Sequence, residues 1–256
     1  MKFEFHTFTL PNGLRVIHKE VPRSASHIAL VVNAGSRDEL SGEAGVAHFI
    51  EHCLFKGTKK RKTFHILNRL ERVGGDLNAY TTKEETWISA SFLERDLDRA
   101  IELVSDISFN STFPEKEIAK EQEVILDEIA SVLDNPSDVI FDEFEERLFG
   151  AHPLGRTILG TQESVNNLGK LQINSFVERY YCPDQMVFAS VGSTPIAKLK
   201  KLCEKYLGQE VGRVSQLNRL VPKAIPIFDE RVEQDTHQVH HLLGGITVGA
   251  DHPDKL

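Results

Sequence analysis

Cysteine is scarce: Cys53, Cys182 and Cys203 are the only three in 256 residues, an odd number and widely spaced. That excludes a disulfide framework and a CxxC zinc site. A basic excess is also missing. The chain has 30 Lys and Arg against 38 Asp and Glu, a net charge of −8 and a pI near 5.8. Nothing is left over to neutralise a run of phosphates, so no nucleic-acid partner is expected. Long apolar runs are lacking as well: none approaches the roughly 18 residues a membrane span needs. The opening MKFEFHTFTLPNG has no apolar core and does not read as a signal peptide. Low-complexity stretches and simple short repeats are absent. What remains is an ordinary globular composition, 40% hydrophobic and 27% charged, in a chain able to bury about 70–75% of its unfolded surface without staples. A soluble, cytoplasmic protein with no membrane partner is expected.

The first third reads as strands around helices. Phe3–Leu10 alternates, Pro11-Asn12-Gly13 turns, and Leu14–Glu20 completes a hairpin. His27–Asn33 is a buried central strand by its apolar run. The period then changes to that of a helix from about Glu43 to Phe55, capped by Ser41 and stopped at Lys56-Gly57. A second helix, Thr63–Val73, ends at Gly74-Gly75, and strands Asp76–Thr82 and Thr86–Phe92 follow. The middle is helical: Arg95–Ser108, a long helix over 114–133, and Ser137–Leu148 after Asn135-Pro136. A Gly/Pro-rich loop at 150–156, two short helical stretches, a strand Met186–Val191 and a helix Pro195–Tyr206 complete this part. Three regions result: a main domain over 1–208, a linker over 209–236, and a strand at 237–250 leading to a helix start at 251–254. That last piece, 237–256, looks like the opening of a further domain cut short.

The sharpest pattern is His48-Phe49-Ile50-Glu51-His52 on the first helix. At about 100° per residue, histidines four apart lie roughly 40° from each other and can grip one metal ion, with the glutamate to one side within reach of a metal-bound water. This HxxEH order mirrors HExxH. An amphipathic helix with two half-buried histidines would show the same string. On helix 114–133, Ile118, Ile125, Ile129 and Val132 form an apolar stripe, and Glu121 and Glu128 fill its remaining inward positions seven residues apart. A carboxylate on an inward stripe is costly unless paired or metal-bound. Glu128 as a third ligand would complete a His₂Glu set, the composition of a catalytic zinc, with Glu121 beside it. The competing reading is that both line a solvated edge of an acidic helix.

Taken with HFIEHCLFKGT (48–58), the segments GGDLNAYTTKEET (74–86), EQEVILDEI (121–129) and HPLGRTILGT (152–161) resemble the M16 metallopeptidases, in order along nearly the whole chain. The resemblance implies an α+β fold: a mixed, largely antiparallel sheet with helices packed on it. It implies one zinc held by His48, His52 and Glu128, with Glu51 as general base and Glu121 completing the catalytic set. It also implies that the strand after Gly74-Gly75 is an exposed sheet edge to which substrate adds as an extra strand, contacted by Asn78 and Ala79. Phe55 would line a side-chain pocket. The expected partners are a peptide substrate, a second M16-like half from the same gene or another subunit, and a further copy of the chain. A non-catalytic peptide-binding subunit is the alternative, and the intact ligand set argues against it. Two decoys are set aside: His237, His240 and His241 fall in a strand-like run with no inward acid, and His152 matches no family ligand. Cys53 is expected to be a small core residue.

Overall fold

A computed structural model describes residues 4–212, 215, 217–223, 227–234, 237–249 and 252–253. The hairpin forms as β1 (His6–Thr9) and β2 (Arg15–Glu20), antiparallel, with Thr9 opposite Arg15. Then come β3 (Ala25–Val32), β4 (Asp76–Thr81), β5 (Thr86–Leu93) and β6 (Met186–Gly192). The six make one sheet in the order β1-β2-β6-β3-β5-β4. Every pairing is antiparallel except β2 with β6. This is the mixed, largely antiparallel sheet of an α+β fold. β6 is inserted between two strands that are neighbours in sequence.

Alternation along the strands decides where the helices go. Ile28, Leu30, Val32, Ile88, Ala90, Phe92, Met186 and Phe188 are buried on one face, while Ala29, Val31, Trp87, Ser89, Val187 and Ala189 on the other are only partly covered. Each fully buried Leu, Ile or Phe contributes about 1.5–3 kcal/mol, which draws the helices onto that first face. They are α1 (Val46–Leu54), α2 (Thr63–Glu71), α3 (Leu97–Phe109), α4 (Glu115–Leu133), α5 (Pro136–Phe149), α6 (Gln162–Asn167), α7 (Lys170–Tyr180) and α8 (Ile196–Tyr206). α3 lies on β3 and β5, and α1 packs against β4, α4 and α7.

Two expectations fail. α1 begins at Val46, not near Glu43, and Ser41 does not cap it. Gly42 and Gly45 both take positive φ, which breaks the helix there, and the capping acceptor is the carboxylate of Glu39, bonded by the N–H groups of Gly45 and Ala47 at 3.0 Å each. The strand expected over 237–250 is also absent: residues 237–249 carry no strand. A strand needs a pairing partner or a face to bury, and Val239 and Leu243 find neither, being 97% and 88% exposed. Of the helix start at 251–254, residues 251 and 254 lie outside the described residues, and 252–253 are not helical. The described part of 209–236 has no helix or strand beyond a turn, and Arg219 ties it to the domain through Asp38, at 2.7 and 2.9 Å, and Asn33.

Candidate metal centre

Phe49, Ile50, Cys53 and Leu54 sink one side of α1 into the core, which turns His48, Glu51 and His52 toward α4 and β4. The two imidazole rings meet edge-on, their centroids 4.6 Å apart and their planes at 67°. Glu128 arrives from α4 with Oε2 at 3.7 Å from His48 Nε2 and 3.5 Å from His52 Nε2. One ligand atom from each of the three lies within 4.8 Å of the others, and among the described residues no other such group of His, Cys, Asp or Glu occurs. These separations are long for hydrogen bonds. They suit the edges of a tetrahedron whose centre is about 2.0–2.1 Å from each ligand. His48 is buried, and its Nδ1 has no hydrogen-bond partner. Two imidazoles and a carboxylate converging on one point fit a zinc ion.

The electrostatics suit that use. Burial, then the neighbouring His52, pulls His48 down to about 4, so its imidazole is neutral at pH 7, the state a ligand requires. Glu51 is pushed up from 4.5, first by burial; Thr81 at the end of β4 and His52 pull back, and Glu128 adds to the rise. Thr81 Oγ1 is buried beside it without a fully formed hydrogen bond. Glu121, also buried, accepts from His52 Nδ1 at 3.3 Å through Oε2, while Lys56 Nζ lies 2.7 Å from its other oxygen. The sequence patterns single out neither Thr81 nor Lys56. Lys56 had a signal, since 48, 52 and 56 share the i, i+4 spacing; Thr81 had none.

The loop carrying HPLGRTILGT holds α1 from behind. Gly160 and Gly45 both have positive φ and meet backbone to backbone: a Cβ on Gly45 would lie 2.5 Å from Leu159 O, and one on Gly160 2.6 Å from Ala44 O. Arg156 donates to the carbonyl of Glu39 at 3.0 Å, and Lys83 to that of Arg156. His152 Nδ1 accepts from Leu154 N–H and its Nε2 donates to Leu220 O, a structural role.

A sequence profile for "Insulinase (Peptidase family M16)" matches residues 15–162, more than half of the chain. The chain belongs to peptidase family M16. A second profile, "Peptidase M16 inactive domain", matches 167–256. An uncharacterized zinc protease of Mycobacterium leprae is 40% identical over 248 residues, covering 94% of this M16 chain and 55% of the relative. The mitochondrial-processing peptidase subunit beta of Bos taurus is 34% identical over 249 residues, covering 96% and 51%. Among solved structures, a protease from Helicobacter pylori aligns at a TM-score of 0.80 and 26% identity, over 86% of this chain and 54% of that one. The first half of the periplasmic protease PqqL from Escherichia coli aligns at 0.76 and 28%, over 85% and 48%. This chain thus spans about half the length of the curated relatives it matches.

The remaining site residues lie around this M16 centre without joining it. Asn78 and Ala79 are on β4, whose one partner among the described residues is β5, so its far side is a sheet edge. The Asn78 side chain accepts from the Ala79 N–H at 2.9 Å. Phe55 caps the C-terminus of α1 and packs partly into the core. Cys53 is buried, its thiol pushed up to about 12 by burial and then by Glu121. No described helix is long and apolar enough to cross a membrane.

Proposed function

We propose that this chain is the metal-binding, water-activating half of a zinc endopeptidase acting on unstructured peptides. The convergence of His48, His52 and Glu128 on one point beside a half-buried Glu51 supports this reading best. The three would hold a single zinc. When bound, such an ion lowers the pKa of a water to about 7 and polarises a carbonyl. Glu51, on the next position of the same helix face, takes the proton from the attacking water and passes it to the leaving amine, a role worth about 10²–10⁴ in rate. Glu121 completes the catalytic set from the outside, orienting His52. Substrate adds to the free edge of β4 by main-chain pairing, which tolerates many sequences, with Asn78, Ala79 and Phe55 beside it.

We divide the chain into this domain (1–208), a linker (209–236) and the opening of a second homologous region (237–256), whose full half, in the same or a partner chain, would cover the metal centre. Without that half, substrate positioning is lost and turnover by this chain alone is low. Three buried cysteines that form no disulfide suit a reducing compartment, and the cytoplasm is its proposed location. The test is elemental zinc analysis with a quenched-peptide assay, run on the chain alone and mixed with the second half. Wild type carries about one zinc, Glu128→Ala loses it, and Glu51→Gln keeps it while hydrolysis disappears, because a base is removed without a ligand. Equal zinc in Glu128→Ala would strike Glu128 from the ligand set; turnover in Glu51→Gln would end the base assignment.

A further inference from the structure

We infer that Lys56 is a positioning residue for the metal centre, acting through Glu121 on His52; this rests on the zinc reading above. The main chain of Lys56 is pinned on both sides, its N–H donating to Cys53 O at 3.1 Å and its carbonyl accepting from Thr63 Oγ1 at 3.0 Å. From that fixed base just past the end of α1, its ammonium reaches Glu121 Oε1 at 2.7 Å. Glu121 Oε2 is thereby left to face His52 Nδ1 at 3.3 Å. A proton on Nδ1 serves that bond and leaves Nε2 bare, aimed at the point where Glu128 and His48 converge. The other nearby acid, Glu117, is bound by Lys120 at 2.8 Å. His48 has no equivalent support, its Nδ1 being without a partner. The orientation of the His52 ring therefore hangs on one lysine and one carboxylate. Such outer partners fix the tautomer and ring angle of a ligating histidine.

The sign of the effect separates positioning from charge. A cation close to the site opposes a dication by simple Coulomb repulsion, so removing it would tighten zinc binding if field were all that mattered. Positioning predicts the reverse.

The experiment uses the full chain and four variants, Lys56→Met, Lys56→Arg, Glu121→Gln and the Lys56→Met/Glu121→Gln double. Zinc dissociation constants come from competition with a chromogenic chelator at fixed pH, alongside the visible spectrum of the cobalt-loaded forms and the ¹⁵N shifts of the His52 ring in metal-free protein. Lys56→Met is expected to weaken zinc about tenfold or more, to alter the cobalt bands, and to mix the His52 tautomers. Lys56→Arg restores binding to within about threefold, since it still donates to a carboxylate. In the Glu121→Gln background, Lys56→Met adds less than about a twofold change, because two residues acting in series are not additive. Unchanged or tighter zinc binding in Lys56→Met, or full additivity in the double variant, overturns the inference. Should the methionine variant not fold, Lys56→Leu replaces it. Wild-type chain that binds no zinc would sink the functional reading, whereas the metal-free His52 spectra would still decide whether Lys56 sets the tautomer.

Discussion

Gly45→Ala should cripple the centre without touching a ligand. Gly45 sits at φ +88°, immediately before α1 and three residues before His48. An L-residue held there pays about 1–2 kcal/mol for the left-handed conformation alone. Its Cβ would also lie 2.5 Å from Leu159 O and 3.1 Å from Gly160 Cα, both main-chain atoms that cannot rotate away, so the loop or the helix start must retreat. Overpacking of this kind typically costs about 1–3 kcal/mol. Together the two effects give about 2–5 kcal/mol, a fall in Tm of roughly 5–15 °C for a chain of this size. Gly42 supplies the control: its φ is +85°, yet a Cβ there would meet nothing within 4 Å. Gly42→Ala therefore carries only the conformational cost, about 1–2 kcal/mol. Urea melts of the two variants, with chelator competition for zinc, make the comparison. Gly45→Ala should be the less stable by about 1–3 kcal/mol and should hold zinc more weakly. Equal losses in the two variants would mean that the contact between Gly45 and the 159–160 backbone is slack, and the reasoning would fail.

The Glu39 carboxyl is pushed up to about 8, chiefly by burial, against the pull of the Gly45 and Ala47 N–H groups and of Arg156. Because the folded value lies above the ordinary 4.5, its contribution to stability is complete below about pH 4.5 and is lost as pH rises through 8. Glu39→Gln, which cannot ionise and gives up one acceptor to an N–H, should be the less stable protein at pH 5 and should narrow the gap by pH 8; parallel urea midpoints across that range would refute this. Burial likewise lifts the Cys53 and Cys203 thiols to about 12, leaving on the order of one thiolate in 10⁴ at pH 8. Mass spectrometry after exposure to an aromatic disulfide reagent should find both unmodified in native protein and both modified in urea, and fast native labelling of Cys53 would contradict its burial.

The parts legible in the sequence are those governed by a local period. Histidines four apart and glutamates seven apart come out on facing helix surfaces because α1 and α4 are regular, and the Asn78 strand emerges as β4 because its alternation is local. What escaped notice depends on contacts between distant segments. Ser41 was a plausible cap for α1, but Glu39 reaches Gly45 and Ala47 from outside the helix and two glycines delay its start. Lys56 belongs locally to a helix stop, and its bond to Glu121 joins residues 65 positions apart in the chain. The segment 237–249 reads locally as a strand through Val239, Leu242, Leu243, Ile246 and Val248, and only the sheet shows that none of its described residues pairs with it.

The insertion of β6 bears on how the molecule is made. β2 and β3 are separated by the four residues 21–24, yet in the sheet a strand synthesised some 150 residues later lies between them. In the finished sheet β2 and β3 stand about two strand spacings apart, roughly 9.5 Å; until β6 is made, the edges that will face it have no partner. Open edges invite pairing with other chains, and contacts this remote in sequence form slowly. Translation pauses, chaperone capture and truncation should therefore matter most before residue 192. A fragment ending at 162, where the first family profile stops, would contain every proposed zinc ligand and still lack the strand that closes the sheet.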